Sequence, residues 1–169
     1  MDNLLSPDLS HKAKEIGPQL IRLGATISVA ESLTGGLVSA ALTYTPGSSK
    51  VFWAGVTAYA NEAKEKLLGV AKTILDSQGA VSLETALAMA YGVKKLTGSE
   101  IALATTGIAG PDGGSPAKPV GLCFVAAVGL GHEFWEKNIF PGSRQAVVEA
   151  AALAALGLLE RVLNEPILA

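Results

Sequence analysis

The chain has 169 residues and a net charge of −2; 49% of its residues are hydrophobic and only 17% are charged. This length suits one domain with a substantial core, and the composition excludes an intrinsically disordered chain. The thirteen lysines and arginines form no basic run, which argues against nucleic acid as a ligand.

The first part of the chain alternates helix and strand. Apolar positions at helical spacing predict a helix over residues 8–23 that ends at Gly24. A short β-branched run predicts a buried strand over residues 26–30. A second helix is expected over residues 37–44, because a Pro-Gly turn follows it.

The middle of the chain predicts another strand and two capped helices. Aromatic and β-branched residues cluster over residues 51–60 and indicate the strand. Asn61 is expected to cap the next helix, with Glu62 in its first turn. Ser82 is expected to cap a further helix that ends near Leu96.

The last part predicts three strands and a long helix. The strands are expected over residues 101–106, 120–128 and 134–140, and a Gly-Leu-Gly turn makes the last two a hairpin. A nearly uncharged helix over residues 143–163 is expected to pack on the sheet or on a neighbouring subunit.

This order of elements indicates the α/β class. It predicts one domain over residues 1–169, a three-layer α/β/α sandwich with a mixed sheet. The single cysteine, Cys123, lies in an apolar run and is expected to be a buried hydrophobe. The lack of any internal disulfide or signal-peptide pattern favours the cytoplasm, and no stretch has the pattern of a membrane span.

Four polar or glycine-rich segments interrupt the apolar chain. The first, AESLTGG at residues 30–36, joins the first strand to a helix, where α/β sheets commonly bind ligands. The N–H groups of Gly35 and Gly36 would be uncovered there and could bind a phosphate or an oxyanion. Ser32 lies just before them; the alternative is that Ser32 or Thr34 only caps the helix.

The second and third segments carry hydroxyl groups and a lysine. TPGSSK at residues 45–50 is either an ordinary turn or the hydroxyl-rich edge of a polar ligand site. In YANEAK at residues 59–64, Lys64 is either a solvated surface group or a base. The macrodipole at the start of a helix lowers the pKa of a lysine, and burial would lower it further, so Lys64 could deprotonate a serine.

The fourth segment, residues 105–121, has five glycines and three prolines between two apolar strands. A loop of this length and composition is more typical of a binding loop than of a simple connection. Its Lys118 is either an anion contact or a solvated charge.

Several well-known motifs are missing from the sequence. It has neither a P-loop nor a dinucleotide-binding fingerprint, and no His/Cys cluster indicates zinc. His11 lies near the terminus and His132 in an expected turn, so a Ser-His-Asp triad has poor candidates. A serine enzyme on this chain would need another base, and lysine is the natural one.

Six segments occur together in one order and spacing: AESLTGG (30–36), PGSSKVF (46–52), AYANEAKEKLLGV (58–70), GAVSLETALAMA (79–90), TGIAGPDGGSPAKPVG (106–121) and PGSR (141–144). Together they resemble the CinA C-terminal domain family, also known as nicotinamide mononucleotide deamidase, over a core of about residues 8–163. The resemblance implies hydrolysis of nicotinamide mononucleotide to nicotinic acid mononucleotide and ammonia. It implies no metal and no other cofactor.

The resemblance also implies roles for single residues. Ser32 would be the nucleophile, Lys64 its base, and Tyr59 a neighbour that orients groups or relays a proton. By the helix-terminus argument, the oxyanion hole would be formed by the N–H groups of Thr34, Gly35 and Gly36. Ribose and phosphate would be held by Ser48, Thr106, Gly107, Gly110 and Arg144. A guanidinium can hold a phosphate bidentately, so Arg144 is the strongest of these candidates.

The sequence departs from the family pattern at three positions. Leu33 replaces a common cysteine, Ser115 a common threonine, and Val148 a second arginine that often follows the first. The missing arginine would weaken phosphate binding. A molybdopterin-binding-like domain that precedes this one in many bacteria has no counterpart in the sequence, which is expected to be the stand-alone form.

Two other functions stay open on the sequence alone. The same loops could bind a nucleotide without catalysis, because Lys64 could be an ordinary solvated lysine. The family's historical label of competence- or damage-inducible protein suggests instead an interaction module linked to that response. The nearly uncharged final helix could serve such partners, or self-association into the homo-oligomer that we expect.

Overall fold

A mixed five-stranded sheet forms the centre of the computed structural model, which describes residues 5–167. The strands are β1 (Ile27–Glu31), β2 (Phe52–Thr57), β3 (Ile101–Gly107), β4 (Leu122–Gly129) and β5 (His132–Ile139). Their order across the sheet is β2-β1-β3-β4-β5. β1 is parallel to both β2 and β3, whereas β4 pairs antiparallel with β3 and β5 pairs antiparallel with β4.

Helices cover both faces of this sheet. They are α1 (Pro7–Leu23), α2 (Leu37–Thr43), α3 (Asn61–Leu68), α4 (Lys72–Ser77), α5 (Leu83–Thr97) and α6 (Arg144–Asn164). One apolar core lies between the sheet and α1, α2 and α6, and a second lies between the sheet and α3, α4 and α5. The predicted three-layer α/β/α architecture with a mixed sheet is therefore confirmed.

Capping explains where several helices begin. The Ser82 hydroxyl accepts a hydrogen bond from the Thr85 amide at 3.2 Å, as predicted for α5. The predicted cap at Asn61 is wrong, because Asn61 is the first residue of α3. The preceding Ala60 occupies the cap position with extended backbone and offers no side-chain acceptor, while Glu62 lies in the first turn as expected.

The remaining boundaries lie within three residues of the predictions; the largest difference is in the strand predicted over residues 51–60, which ends at Thr57. Two elements are additional. A short 3₁₀ helix at Ser48–Lys50 and helix α4 were not predicted from the sequence. The predicted hairpin is confirmed: its turn consists of Leu130 and Gly131, both with positive φ, of 53° and 86°. Positive φ at both positions is the signature of a type I′ turn, whose twist matches that of the strands.

Helix α6 packs on the sheet through a face of small and aliphatic side chains. Eight residues of this face are buried: Val147, Ala151, Ala152, Ala155, Leu156, Leu158, Leu159 and Val162. The low charge of this helix is therefore explained by packing within one chain. Across residues 5–167, no helix combines the length and the apolarity needed to cross a membrane.

Candidate active site

Ser32 lies at the sheet edge where the three parallel strands end. It directly follows β1, all of whose residues are buried, and its amide donates to the Thr105 carbonyl oxygen of β3 at 3.0 Å. The serine is 8% exposed. The carboxyl edge of a parallel sheet is the usual place for a ligand in α/β proteins, so this serine is anchored and nearly buried where a ligand is expected.

Lys64 reaches Ser32 from the start of α3. Side chains of a helix lean toward its N-terminus, so the fourth residue of α3 directs its amine back to the strand end. Lys64 Nζ lies 3.0 Å from Ser32 Oγ, and it donates to the carbonyl oxygens of Ala58 and Tyr59, both at 2.9 Å. The side chain is 1% exposed, so Lys64 is not a solvated surface lysine.

Burial gives this lysine the protonation behaviour of a base. Loss of hydration lowers the pKa of Lys64 from 10.5 to about 8. A neutral amine has two N–H groups and one lone pair. The two carbonyl oxygens accept the two N–H groups, and the lone pair is left for the Ser32 hydroxyl. The pair can therefore exchange one proton close to neutral pH without a histidine.

The turn after Ser32 differs from the prediction, because a side chain covers the start of α2. Neither Ser32 nor Thr34 caps this helix; the buried Glu31 carboxylate does, and it accepts the Gly36 amide at 3.0 Å. The Gly35 amide donates to the Ser32 carbonyl oxygen at 3.2 Å. The expectation that both glycine N–H groups are uncovered is therefore wrong.

Two amides beside Ser32 remain as free donors in the described part of the chain: that of Thr34, which was among the predicted oxyanion donors, and that of Leu33, which was not. Within residues 5–167, the N–H groups of Leu33 and Thr34 donate to no protein acceptor. They directly follow the candidate nucleophile, as oxyanion donors of serine hydrolases often do. Neither Leu33 as a donor nor Glu31 as the cap was predicted from the sequence. The available signal was an acidic residue between a strand and a helix start, where a carboxylate is electrostatically favoured.

Tyr59 and Arg144 form a second polar cluster at the same edge. Arg144, the first residue of α6, donates to the Tyr59 hydroxyl at 2.9 Å and to the Gly110 carbonyl oxygen at 2.8 Å. The Tyr59 side chain is 58% exposed and makes no hydrogen bond to Ser32 or Lys64. Tyr59 thus touches the lysine through its backbone and the arginine through its hydroxyl.

The other substrate-binding residues predicted in the long loop fix the conformation of that loop and do not offer free polar groups. The Thr106 hydroxyl is buried and donates to the Ala80 carbonyl oxygen at 2.6 Å. A Cβ atom at Gly107 would lie 2.6 Å from the Leu122 carbonyl oxygen, and one at Gly110 would lie 2.6 Å from Val120 Cγ1. Lys118 donates to the Gln78 carbonyl oxygen at 2.5 Å, which ties the loop to the protein.

Ser48 lies away from this cluster. The chain returns through α2 to the opposite edge of the sheet, where Ile27 at the start of β1 donates to the Val51 carbonyl oxygen at 2.8 Å. The length of β1 separates the two edges by roughly 15 Å at a strand rise of about 3.3 Å per residue. The Ser48 hydroxyl donates to the Thr43 carbonyl oxygen at 3.1 Å. Within one chain, Ser48 therefore lies at the sheet edge opposite Ser32, and its role in substrate binding stays a prediction.

An open groove of about 420 Å³ runs beside the Ser32 turn. Its lining residues come from the start of α2 and from α6: Thr34, Gly35, Gly36, Leu37, Ala40 and Val148. Val148 lies one helical turn after Arg144 on α6. The position where the family often has a second arginine therefore presents an apolar wall to the groove.

Comparisons with known proteins agree with this architecture. A CinA-like protein of Desulfotalea psychrophila is 42% identical over 167 residues, which cover 98% of this chain and 40% of that protein. A CinA-like protein of Kosmotoga olearia is 48% identical over 151 residues, covering 89% of this chain and 37% of its own length. The chain thus spans about two fifths of the length of these curated relatives.

Solved structures match over nearly their whole length. The competence/damage inducible protein CihA from Agrobacterium tumefaciens superposes with a TM-score of 0.92 at 39% identity, covering 96% of this chain and 99% of that one. A CinA superfamily protein from Klebsiella pneumoniae superposes with a TM-score of 0.88 at 32% identity, covering 92% and 97%. The profile of the CinA C-terminal domain matches residues 9–163. This chain belongs to the CinA C-terminal domain family.

Proposed function

We propose that this chain is an amidohydrolase that converts nicotinamide mononucleotide and water to nicotinic acid mononucleotide and ammonia. The observation that carries the proposal is the 3.0 Å contact between Ser32 Oγ and the buried Lys64 amine. A serine beside a lysine of lowered pKa is an activated nucleophile, and attack on a carboxamide is a reaction that such a pair performs without metal.

The first half of the reaction forms an ester. Neutral Lys64 takes the proton of the Ser32 hydroxyl as Oγ attacks the carboxamide carbon. The carbonyl oxygen becomes an oxyanion, for which the N–H groups of Leu33 and Thr34, without a protein acceptor within residues 5–167, are the candidate donors. When the intermediate collapses, the C–N bond breaks and Lys64 returns its proton to the departing nitrogen. The products of this half are ammonia and an acyl ester on Ser32.

In the second half of the reaction, water hydrolyses the ester by the same steps. Lys64, again neutral, takes a proton from a water molecule as its oxygen attacks the ester carbon. The C–Oγ bond then breaks, Oγ recovers the proton from Lys64, and the carboxylic acid leaves and gives its proton to the solvent. The carbonyl oxygens of Ala58 and Tyr59 hold Lys64 in place in both halves, so one side chain serves both proton transfers.

The polar cluster at Arg144 supports a nucleotide rather than a simple amide as the substrate. Its guanidinium already holds the Tyr59 hydroxyl and the Gly110 carbonyl oxygen, and it is exposed at the same sheet edge as Ser32. A rigid guanidinium of this kind can bind a phosphate through two parallel hydrogen bonds. The groove lined by Gly35, Gly36 and Val148 is the candidate site for the ribosyl ring.

Product analysis tests this reaction. Purified protein incubated with nicotinamide mononucleotide should release ammonia and nicotinic acid mononucleotide in equal amounts, as measured by an enzymatic ammonia assay and by chromatography. Lys66→Met is the matched control, because Lys66 lies in the same helix but is exposed. Lys64→Met should lose turnover near pH 8, whereas Lys66→Met should keep it. Absence of ammonia above background with wild-type protein would refute the proposal.

Self-association stays a prediction as well. Exposed aromatic and aliphatic side chains such as Trp53 and Leu96, which are 54% and 59% exposed, support it because burial of such groups favours association. Light scattering at micromolar concentration tests it, and a monomer at all concentrations would contradict it.

A further inference from the structure

Glu31 is the buried acidic group nearest to the candidate nucleophile, and the reaction described above does not use it. It is 0% exposed and ends β1, one residue before Ser32. Among residues 5–167, no lysine, arginine or histidine forms an ion pair with it. Burial of an unpaired carboxylate is costly unless hydrogen bonds compensate it, so its environment must provide them.

Five donors converge on the two oxygens of Glu31. Oε2 accepts from the Thr34 hydroxyl at 2.6 Å and from the amides of Gly36 and Val38 at 3.0 and 3.1 Å. Oε1 accepts from the amide and the hydroxyl of Ser39, at 2.9 and 2.6 Å. The cap residue of α2, Gly36, has no side chain to do this, and Glu31 supplies the acceptor from five residues upstream.

These bonds close a loop around Ser32. Its amide is fixed to Thr105 of β3 at 3.0 Å, and its carbonyl oxygen accepts from Gly35 at 3.2 Å. The Thr34 hydroxyl bridges Glu31 to the Thr105 hydroxyl, which lies 2.8 Å from it. The backbone on both sides of Ser32 is thus held to the sheet, while the Ser32 hydroxyl itself is left to Lys64.

We propose that Glu31 is a positioning residue for the reaction: through Thr34 and the start of α2, its carboxylate holds the Ser32 hydroxyl in line with the Lys64 amine. It also occupies the N–H groups of Gly36, Val38 and Ser39, so these groups are not available to the anionic end of a substrate. The substrate anion is therefore directed to Arg144. This inference rests on the proposed function where it is tested by turnover of nicotinamide mononucleotide. It does not where it is tested by chemical labelling of Ser32.

Glu31→Gln is the direct test, because the amide keeps the shape of the side chain but replaces one acceptor oxygen with a donor. A displacement of about 1 Å between reacting groups lowers turnover by roughly 100-fold. We expect kcat for nicotinamide mononucleotide to fall by about that factor. KM should change by less than about threefold, because binding and chemistry are supported by different residues. Partial unfolding would lower the concentration of active protein, but it would not lower kcat per folded molecule while KM stays constant.

Phosphonylation of Ser32 by a fluorophosphonate provides a readout that does not need the substrate. The rate, followed by intact-protein mass spectrometry, should fall in Glu31→Gln by a factor similar to that for kcat. Thr43→Ala is the matched control, because Thr43 lies in the same helix but is exposed, and its hydroxyl donates to the carbonyl oxygens of Ser39 and Ala40 rather than to Glu31. It should label within about twofold of the wild-type rate, since every bond to the Glu31 carboxylate is kept.

The outcomes separate the two proposals. Labelling of Glu31→Gln at the wild-type rate, or an equal loss in Thr43→Ala, would overturn the role of Glu31. If Glu31→Gln does not fold, Thr34→Val removes only the bridge and should slow labelling by about tenfold; an unchanged rate there would overturn the inference. Wild-type protein that labels at Ser32 but releases no ammonia would refute the substrate proposal, and the labelling rates would still decide the role of Glu31.

Discussion

The protonation of Lys64 should be visible in the stability of the protein. Lys64 has a pKa of about 8 in the folded chain, whereas exposed lysine has 10.5. Below pH 8 both states bind the proton, and the folded state carries a buried charge. Between pH 8 and pH 10.5 the folded state has released the proton that the unfolded state still binds, so the free energy of unfolding rises with pH. Above 10.5 the dependence ends, because both states are neutral.

The size of this effect follows from the two values. The difference of 2.5 between 10.5 and about 8 corresponds to roughly 3 kcal/mol in total. Of this, about 2.5 kcal/mol should develop between pH 7 and pH 10. Lys64→Met keeps the length of the side chain and removes the titrating group. Between pH 7 and pH 10, the free energy of unfolding of the wild-type protein should therefore rise by this amount relative to that of Lys64→Met. The result does not depend on how the substitution changes stability at pH 7.

Urea unfolding at both pH values measures the difference. Other titrating groups contribute equally to the two proteins and cancel when the curves are subtracted. Lys66→Met serves as control and should show no pH-dependent difference from wild type, because Lys66 is exposed in the same helix. A difference below about 0.5 kcal/mol for Lys64→Met would refute the reasoning that burial has lowered this pKa.

Three further predictions concern catalysis and substrate binding. The value of kcat/KM for nicotinamide mononucleotide should rise with pH and level off above about 8, because only neutral Lys64 accepts the Ser32 proton; a flat profile from pH 6 to 9 would contradict this. Arg144→Ala should raise KM by about 10- to 100-fold with little change in kcat, since a charge-assisted hydrogen bond contributes about 1.5–3 kcal/mol. The same variant should not alter KM for the riboside that lacks phosphate, and equal losses for both substrates would exclude a phosphate contact. Val148→Arg should lower KM several-fold by placing a second guanidinium one turn from Arg144; an unchanged KM would show that this groove does not face the phosphate.

Much of the site was predictable because it follows from chain order alone. Ser32 follows a buried parallel strand, and such strands present their carboxyl ends at one edge of the sheet. Lys64 lies in the first turn of the helix after the neighbouring strand, so the two side chains converge at that edge. The absence of usable histidines made lysine the natural base, and its contact with the serine has the geometry this chemistry needs.

The parts that sequence reasoning missed depend on the direction of single side chains. In the sequence, Glu31 is only an acidic residue at the end of a strand. Its contact with the amides at the start of α2 depends on the tertiary structure. That contact covers the Gly36 amide and leaves those of Leu33 and Thr34 free. The predicted cap at Asn61 was displaced by one residue, because Asn61 is the first residue of α3 and Ala60 occupies the cap position.

The placement of Ser48 could have been corrected from topology. If two consecutive strands are parallel, the connection between them must return the chain to the opposite edge of the sheet. Ser48 lies in the second half of such a connection, just before β2, so it cannot reach the edge that holds Ser32 in the same chain. A motif match alone does not contain this constraint.

The most direct test of the proposed chemistry is the turnover of nicotinamide mononucleotide by Ser32→Ala beside wild-type protein at pH 8, with ammonia as the readout. The variant removes only Oγ, and circular dichroism can establish that it folds. Loss of a catalytic nucleophile lowers kcat by at least about 10³-fold, and we predict a loss of this size. Ammonia release by Ser32→Ala within about tenfold of the wild-type rate would contradict the assignment of Ser32 as the nucleophile.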